Sequence, residues 1–132
     1  MGMLGPSELE RMGFASLGAG VQVSDKASIY GPSRIALGDH VRIDDFCVLS
    51  AGPGGIRIGR NVHVAVYASL IGSALIELGE YANISSRVAI YSSSDDFSGN
   101  AMTNPTVSPE FTNVMQAPVH VGRHVVIGAG SV

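Results

Sequence analysis

Tryptophan is absent from the 132 residues, cysteine occurs once, and only 14% of positions carry charge. Each shortage removes a class of protein. The lone Cys47 cannot close an internal disulfide, which excludes a disulfide-stapled scaffold and fits a reducing cytoplasm. A net charge of −3 gives a nucleic-acid partner no electrostatic support. No apolar run approaches the roughly 20 residues of a membrane-spanning helix, and no stretch reads as a signal peptide. Aromatic residues make up 6% of a chain that is 45% hydrophobic, so the interior must be filled by medium-sized aliphatic side chains. The length is that of one domain.

Glycine, by contrast, is plentiful and recurs in phase. An aliphatic residue, Gly, two polar residues and a small residue form a phrase at Leu37-Gly38-Asp39-His40-Val41, Ile58-Gly59-Arg60-Asn61-Val62 and Leu78-Gly79-Glu80-Tyr81-Ala82. Related copies stand at Leu17-Gly18-Ala19-Gly20-Val21 and Val121-Gly122-Arg123-His124-Val125, and another begins at Ile127-Gly128-Ala129-Gly130-Ser131. Between copies the chain counts in sixes. From Leu17 the steps reach Val23, Ile29 and Ile35; from Leu37, Ile43 and Leu49; from Ile58, Val64 and Leu70; from Leu78, Ile84 and Ile90. The residue two before each anchor is small, as at Val41, Cys47, Ala68 and Ala82. Three hexads plus two or three residues restore the phase, so Leu17, Leu37, Ile58 and Leu78 should stack.

The physical reading is a triangular prism. Each hexad makes a short strand and then a corner. The anchor and the small residue two before it both point inward, as period-2 alternation requires. Gly after the anchor suits close backbone approach and unusual dihedrals at the bend. One coil cannot bury its own inner row, so coils stack into a continuous column. Cys47 occupies a small inward slot and reads as core filler.

Residues 1–16 do not fit the hexad. Ser7-Glu8-Leu9-Glu10 reads as a capping box opening a short helix that Gly13 ends, a segment suited to covering an unpaired coil edge. Residues 17–132 form the coiled domain. Pro32 falls at a corner, and Gly52-Pro53-Gly54-Gly55 is a turn that absorbs extra residues. The phase is lost over about residues 91–118. Loops this long are usually functional or disordered, and Phe97, Met102, Phe111 and Met115 give this one apolar grip for an ordered arm packed on a neighbour.

The pattern resembles the hexapeptide-repeat acyltransferases. The resemblance implies an all-β fold, a left-handed parallel β-helix, with a short N-terminal helix and a long inserted loop. It also implies a homotrimer in which a middle-coil excursion reaches over an adjacent subunit. Met102-Thr103-Asn104-Pro105-Thr106 and the preceding Asp-Asp-Phe-Ser-Gly are similar to a subgroup that modifies polysaccharide and O-antigen sugars, including nucleotide-linked amino sugars. The implied reaction moves an acetyl group from acetyl-coenzyme A to a hydroxyl or amine of such a sugar, without a metal.

Thioester transfer needs a slot for the cofactor arm, a donor for the developing oxyanion and often a base. Four histidines are available. His40 and His124 hold the fourth position of the phrase and read as solvated corners; His120 flanks the returning strand. His63 follows Val62, points outward and lies a coil below the arm, which makes it the candidate base. Many members of the resembling family place a catalytic histidine early in the arm. Here that segment is Ser92-Ser93-Ser94-Asp95-Asp96-Phe97, and no histidine occurs in the arm. Asp95 and Asp96 therefore stand as candidate acceptor-site carboxylates, with Ser93, Ser94 and Asn104 as further acceptor contacts. Small residues and backbone amides near Gly128, Ala129 and Gly130 are the candidates for holding acetyl-coenzyme A. The chain stops inside a hexad, so a fragment, an incomplete cofactor site or coverage by other subunits are all open, and an isolated monomer is expected to be marginally soluble. Two other classes compete. A zinc lyase on the same coil needs three converging histidines, but His120 and His124 hold unlike positions of the hexad and His63 is a coil or more away. A non-catalytic scaffold would not bind a thioester.

Overall fold

The computed structural model describes residues 2–95 and 98–132. The coil has three faces, each a parallel sheet fed once per turn. The first face stacks Ser16–Leu17, Ile35–Leu37, Ile56–Ile58, Ile76–Leu78 and Val119–Val121. The second stacks Gln22–Val23, Arg42–Ile43, His63–Val64, Asn83–Ile84 and Val126–Ile127. The third stacks Ser28–Tyr30, Val48–Ala51, Ser69–Gly72 and Ala89–Tyr91. This is the parallel β-solenoid that the spacing predicts. The anchors fall in one column, with Leu17 beside Leu37, Leu37 beside Ile58, Ile58 beside Leu78 and Leu78 beside Val121. Ile127 lies on the second face, beside Ile84.

The inner rows are dry. Ile35, Leu37, Ile43, Leu49, Ile56, Leu70, Ile76, Leu78 and Ile84 are fully buried, with Val41, Cys47, Val62, Ala68 and Ala82 in the small slots between them. Burying each large aliphatic contributes about 1.5–3 kcal/mol before entropy is charged against it. Where a further coil stacks above it, as at Gly18, Gly38, Gly59 and Gly79, the glycine after the anchor is required by crowding, not by dihedral. A Cβ on Gly38 would sit 2.6 Å from the Arg60 amide nitrogen, and one on Gly59 would sit 2.8 Å from that of Glu80. Neither has positive φ.

Positive φ belongs instead to the corners. Two of the three corners put non-glycine residues in the left-handed region: His40, Asn61, Tyr81 and His124 in one row, Phe46, Tyr67 and Arg87 in the other. The region is costly for L-residues. Coil-to-coil hydrogen bonds hold it in place, such as Asn61 N–H to the Asp39 carbonyl at 2.8 Å and Tyr81 N–H to the Arg60 carbonyl at 3.0 Å. Ring stacking reinforces the rows: Phe46 on Tyr67 and Tyr81 on His124, each with centroids 5.1 Å apart.

The N-terminal helix spans Pro6–Met12. The expected Ser7 cap is not used. Gly5 is the cap residue, its amide donating to Glu8 Oε1 at 3.2 Å. Pro6 at the first helical position explains the shift, since its fixed φ and missing N–H suit that site. Gly13 closes the helix at φ 77°. Leu9 is buried in the column, and Met3 bridges Ser24 antiparallel at the open edge of the second face. Such a bridge blocks edge-to-edge pairing.

Candidate active site

The arm leaves after Tyr91 and is not featureless. Ser93–Ser94 pairs antiparallel with Met115–Gln116, so the arm begins and ends as a two-stranded ribbon, and Pro109–Phe111 forms a 3-10 turn at its far end. Ser92 is buried at the root, its hydroxyl donating to the Ala74 carbonyl at 2.7 Å. A pocket of about 330 Å³ lies between the ribbon strands and the coil, bordered by Tyr91, Ser93, Ser94, Met115 and Pro118. A larger cavity, about 600 Å³, is inside the arm between Met102 and Phe111. Met102, Phe111, Val114 and Met115 are all exposed on the arm.

The arm springs from the corner between the third and first faces. His63 stands on the second face, on the other side of the prism. The structure therefore does not put His63 beneath the arm of its own subunit, as sequence spacing suggested. A loop inserted after the third strand of a turn exits at the third corner, and a residue in the second strand of a turn faces away from that corner. Asp95, one residue past the ribbon strand, is half-buried beside Ser94, whose hydroxyl donates to the Asp95 carbonyl. Asp96 and Phe97 lie outside the described residues. Asn104 is exposed. Its side-chain oxygen is engaged locally, accepting from the Thr106 amide at 2.9 Å and hydroxyl at 2.7 Å. Gly128, Ala129 and Gly130 form an exposed turn at the corner between the second and third faces. The Gly130 amide donates to the Ser86 carbonyl at 3.1 Å. This turn shares His63's side of the molecule, two coils further on.

On the second face the outward row reads Gln22, Arg42, His63, Asn83, Val126. His63 is partly exposed and its Nε2 is 2.7 Å from Asp44 Oδ2. The other carboxylate oxygen, Oδ1, accepts from Arg42 Nε at 2.8 Å. Asp44 itself is 5% exposed. Burial is the largest single influence on its carboxyl and pushes the pKa up. The hydrogen bonds and charges of His63 and Arg42 outweigh it, so the carboxyl is held below its usual range. A buried anion, hydrogen-bonded on both oxygens and presenting an imidazole to solvent, is a shaped polar site on an otherwise aliphatic coil.

Asp44 was not singled out from sequence. The signal was available: one coil is the 21-residue step from Leu37 to Ile58, which sets His63 beside Arg42, and Asp44 follows two residues later. The other histidines stand elsewhere on the coil. His40 and His124 are corner residues, and His120, on the first face, pairs with Glu77 Oε1 at 3.2 Å. Among the described residues no three His, Cys, Asp or Glu side chains are grouped so as to hold a metal ion. Nor is any described helix long and apolar enough to cross a membrane.

No protein-family model matches the chain. Individual relatives do. A dTDP-4-amino-4,6-dideoxy-D-glucose acyltransferase from Escherichia coli is 53% identical over all 132 residues, which cover 69% of that enzyme. AntD, an N-acyltransferase from Bacillus cereus solved with dTDP and 3-hydroxybutyryl-CoA, superposes with a TM-score of 0.92 at 45% identity, over 98% of this chain and 69% of that one. A serine-to-cysteine variant of AntD, solved with dTDP-4-amino-4,6-dideoxyglucose and coenzyme A, gives 0.91 at 44% identity over 97% and 67%. Matched over its whole length to an acyltransferase at 53% identity and sharing the solenoid of AntD, the chain belongs to the hexapeptide-repeat acyltransferase family in which these enzymes stand.

Proposed function

We propose that this enzyme transfers an acyl group from acyl-coenzyme A to the 4-amino group of dTDP-4-amino-4,6-dideoxy-D-glucose, within a homotrimer whose active sites lie between subunits. The observation that carries the reading is the 53% identity, over all 132 residues, to an acyltransferase of that nucleotide sugar. The amine attacks the thioester carbonyl, the nitrogen gives up a proton, the C–S bond breaks and the thiolate takes a proton. His63 accepts the amine proton and returns it to sulfur. Asp95, reaching across from a neighbour's arm, and Asp96 are the carboxylates that hold the amino sugar, with Ser93, Ser94 and Asn104 as further acceptor contacts. The Gly128-Ala129-Gly130 turn offers backbone amides to coenzyme A.

Two features support this division of labour. Exposed apolar side chains along the arm, Met102 and Phe111 among them, suit burial on a neighbouring copy. In the AntD structures the replaced residues are a serine and an aspartate ten positions later. In this chain a serine followed by an aspartate at that spacing occurs only at Ser85–Asp95 and Ser86–Asp96. Ser85 follows Ile84 on the second face, on the side that carries His63. The product would serve surface-polysaccharide synthesis, including O-antigen, with the enzyme at work in the cytoplasm. Calorimetric titration with acyl-coenzyme A and with dTDP, with oligomeric mass measured alongside, tests the assembly: saturable binding of both to a trimer is expected. A folded trimer that binds neither contradicts the reading.

A further inference from the structure

We infer that Asp44 is the positioning residue of this site: it fixes the tautomer of His63 so that Nδ1 is the nitrogen that takes the acceptor's proton. The inference deepens the assignment of His63 as base and rests on it.

The geometry is specific. Asp44 Oδ2 lies 2.7 Å from Nε2, and an ionised carboxylate can only accept, so neutral His63 carries its proton on Nε2. Nδ1 is then the basic nitrogen, and among the described residues it has no hydrogen-bond partner. Arg42 holds the other carboxylate oxygen, so Asp44 cannot swing away from the ring without breaking an ion pair at 2.8 Å. The strand below His63 contributes only Arg42 as a charged outward group, followed by Asp44; the strand above contributes the uncharged Asn83. Asp44 and Asp45 follow that strand; Asp45 accepts from the Ser24 hydroxyl, and among the described residues Asp44 is the anion hydrogen-bonded to His63. Once Nδ1 takes the proton from the attacking amine, the imidazolium faces a buried carboxylate that stabilises it until the proton passes to the departing thiolate. This is the orienting role a carboxylate plays toward a catalytic imidazole elsewhere.

The decisive readouts are tautomer and coupling. In the unmodified enzyme, with histidine nitrogens labelled and the His63 signal assigned by His63→Gln, neutral His63 is expected to show protonated Nε2 and bare Nδ1. The opposite tautomer overturns the proposal without any variant having to fold. In turnover assays Asp44→Asn is expected to lower kcat, by no more than the roughly 10²- to 10⁴-fold that a positioned general base supplies, and to displace the pH profile while KM changes by less than about twofold. Asp44→Asn combined with His63→Gln should lose no more than His63→Gln alone. If His63→Gln is slow but the Asp44 loss adds fully to it, Asp44 acts elsewhere and the proposal fails while the base assignment stands. If His63→Gln turns over normally, the base assignment fails, and the positioning role with it.

Discussion

His63 and Asp95 stand on different sides of the coil. His63 is in the outward row of the second face, and Asp95 follows the ribbon that leaves the corner between the third and first faces. A centre that uses both residues must draw them from two copies of the chain. Complementation follows from this. His63→Gln and Asp95→Asn should each turn over at least about a hundredfold more slowly if each acts in the proton transfer or acceptor binding. Co-expressed and co-assembled, the two variants should regain a substantial fraction of wild-type activity, because some interfaces then pair an intact His63 with an intact Asp95. No recovery in mixed assemblies would place both residues' work within one subunit.

The phrase that organises the sequence is limited by crowding between coils. Gly38→Ala would drive a methyl against the next coil's backbone, with the Arg60 nitrogen at 2.6 Å. Overpacking of this kind costs about 1–3 kcal/mol. Gly122→Ala, at the same position of the phrase, would meet only the Val125 Cγ2 atom at 3.5 Å. Urea unfolding should separate the two variants clearly. Equal midpoints would mean that the coils have slack to separate.

Cys47 predicts an alkaline limb in the stability curve. Its thiol is fully buried, and desolvation is the main reason its pKa rises to about 11. The unfolded thiol ionises near its ordinary value while the native thiol does not. The contribution is therefore fully present below that ordinary value and is lost as pH climbs towards about 11. Two units correspond to about 3 kcal/mol. Urea midpoints measured across this interval should fall in the wild type, and Cys47→Ala should flatten the fall.

Asp44 predicts the acid limb. Its carboxyl is depressed in the folded state, so its contribution is present above the unfolded carboxylate value of about 3.9 and is lost as pH drops through the lower native value. Stability of the wild type should decline below about pH 4, and Asp44→Asn should be less stable near neutrality yet show a shallower acid decline. A parallel decline in both would remove Asp44 from the acid response.

Much of the coil was legible because its signal is repeated. Leu37, Ile58 and Leu78 each announce an anchor, and the register confirms their common column. What stayed hidden depends on neighbours a coil away. Asp44 and His63 are 19 residues apart, and nothing local to either marks the pair. Tyr67 and Arg87 occupy left-handed corners that sequence rules reserve mainly for glycine and asparagine, because inter-coil hydrogen bonds there override local preference. The exit side of the arm was misjudged for a related reason: phase says which residues face inward, but only the order of the three faces says which side of the prism an insertion leaves from.

The central claim is the reaction itself. The most direct measurement is release of free coenzyme A thiol when the enzyme is given acyl-coenzyme A with dTDP-4-amino-4,6-dideoxy-D-glucose, set against the same nucleotide sugar bearing a 4-hydroxyl. The account predicts thiol release matched by amide product with the amino sugar, and little with the hydroxyl analogue. Transfer to the hydroxyl sugar at an equal or greater rate would contradict it.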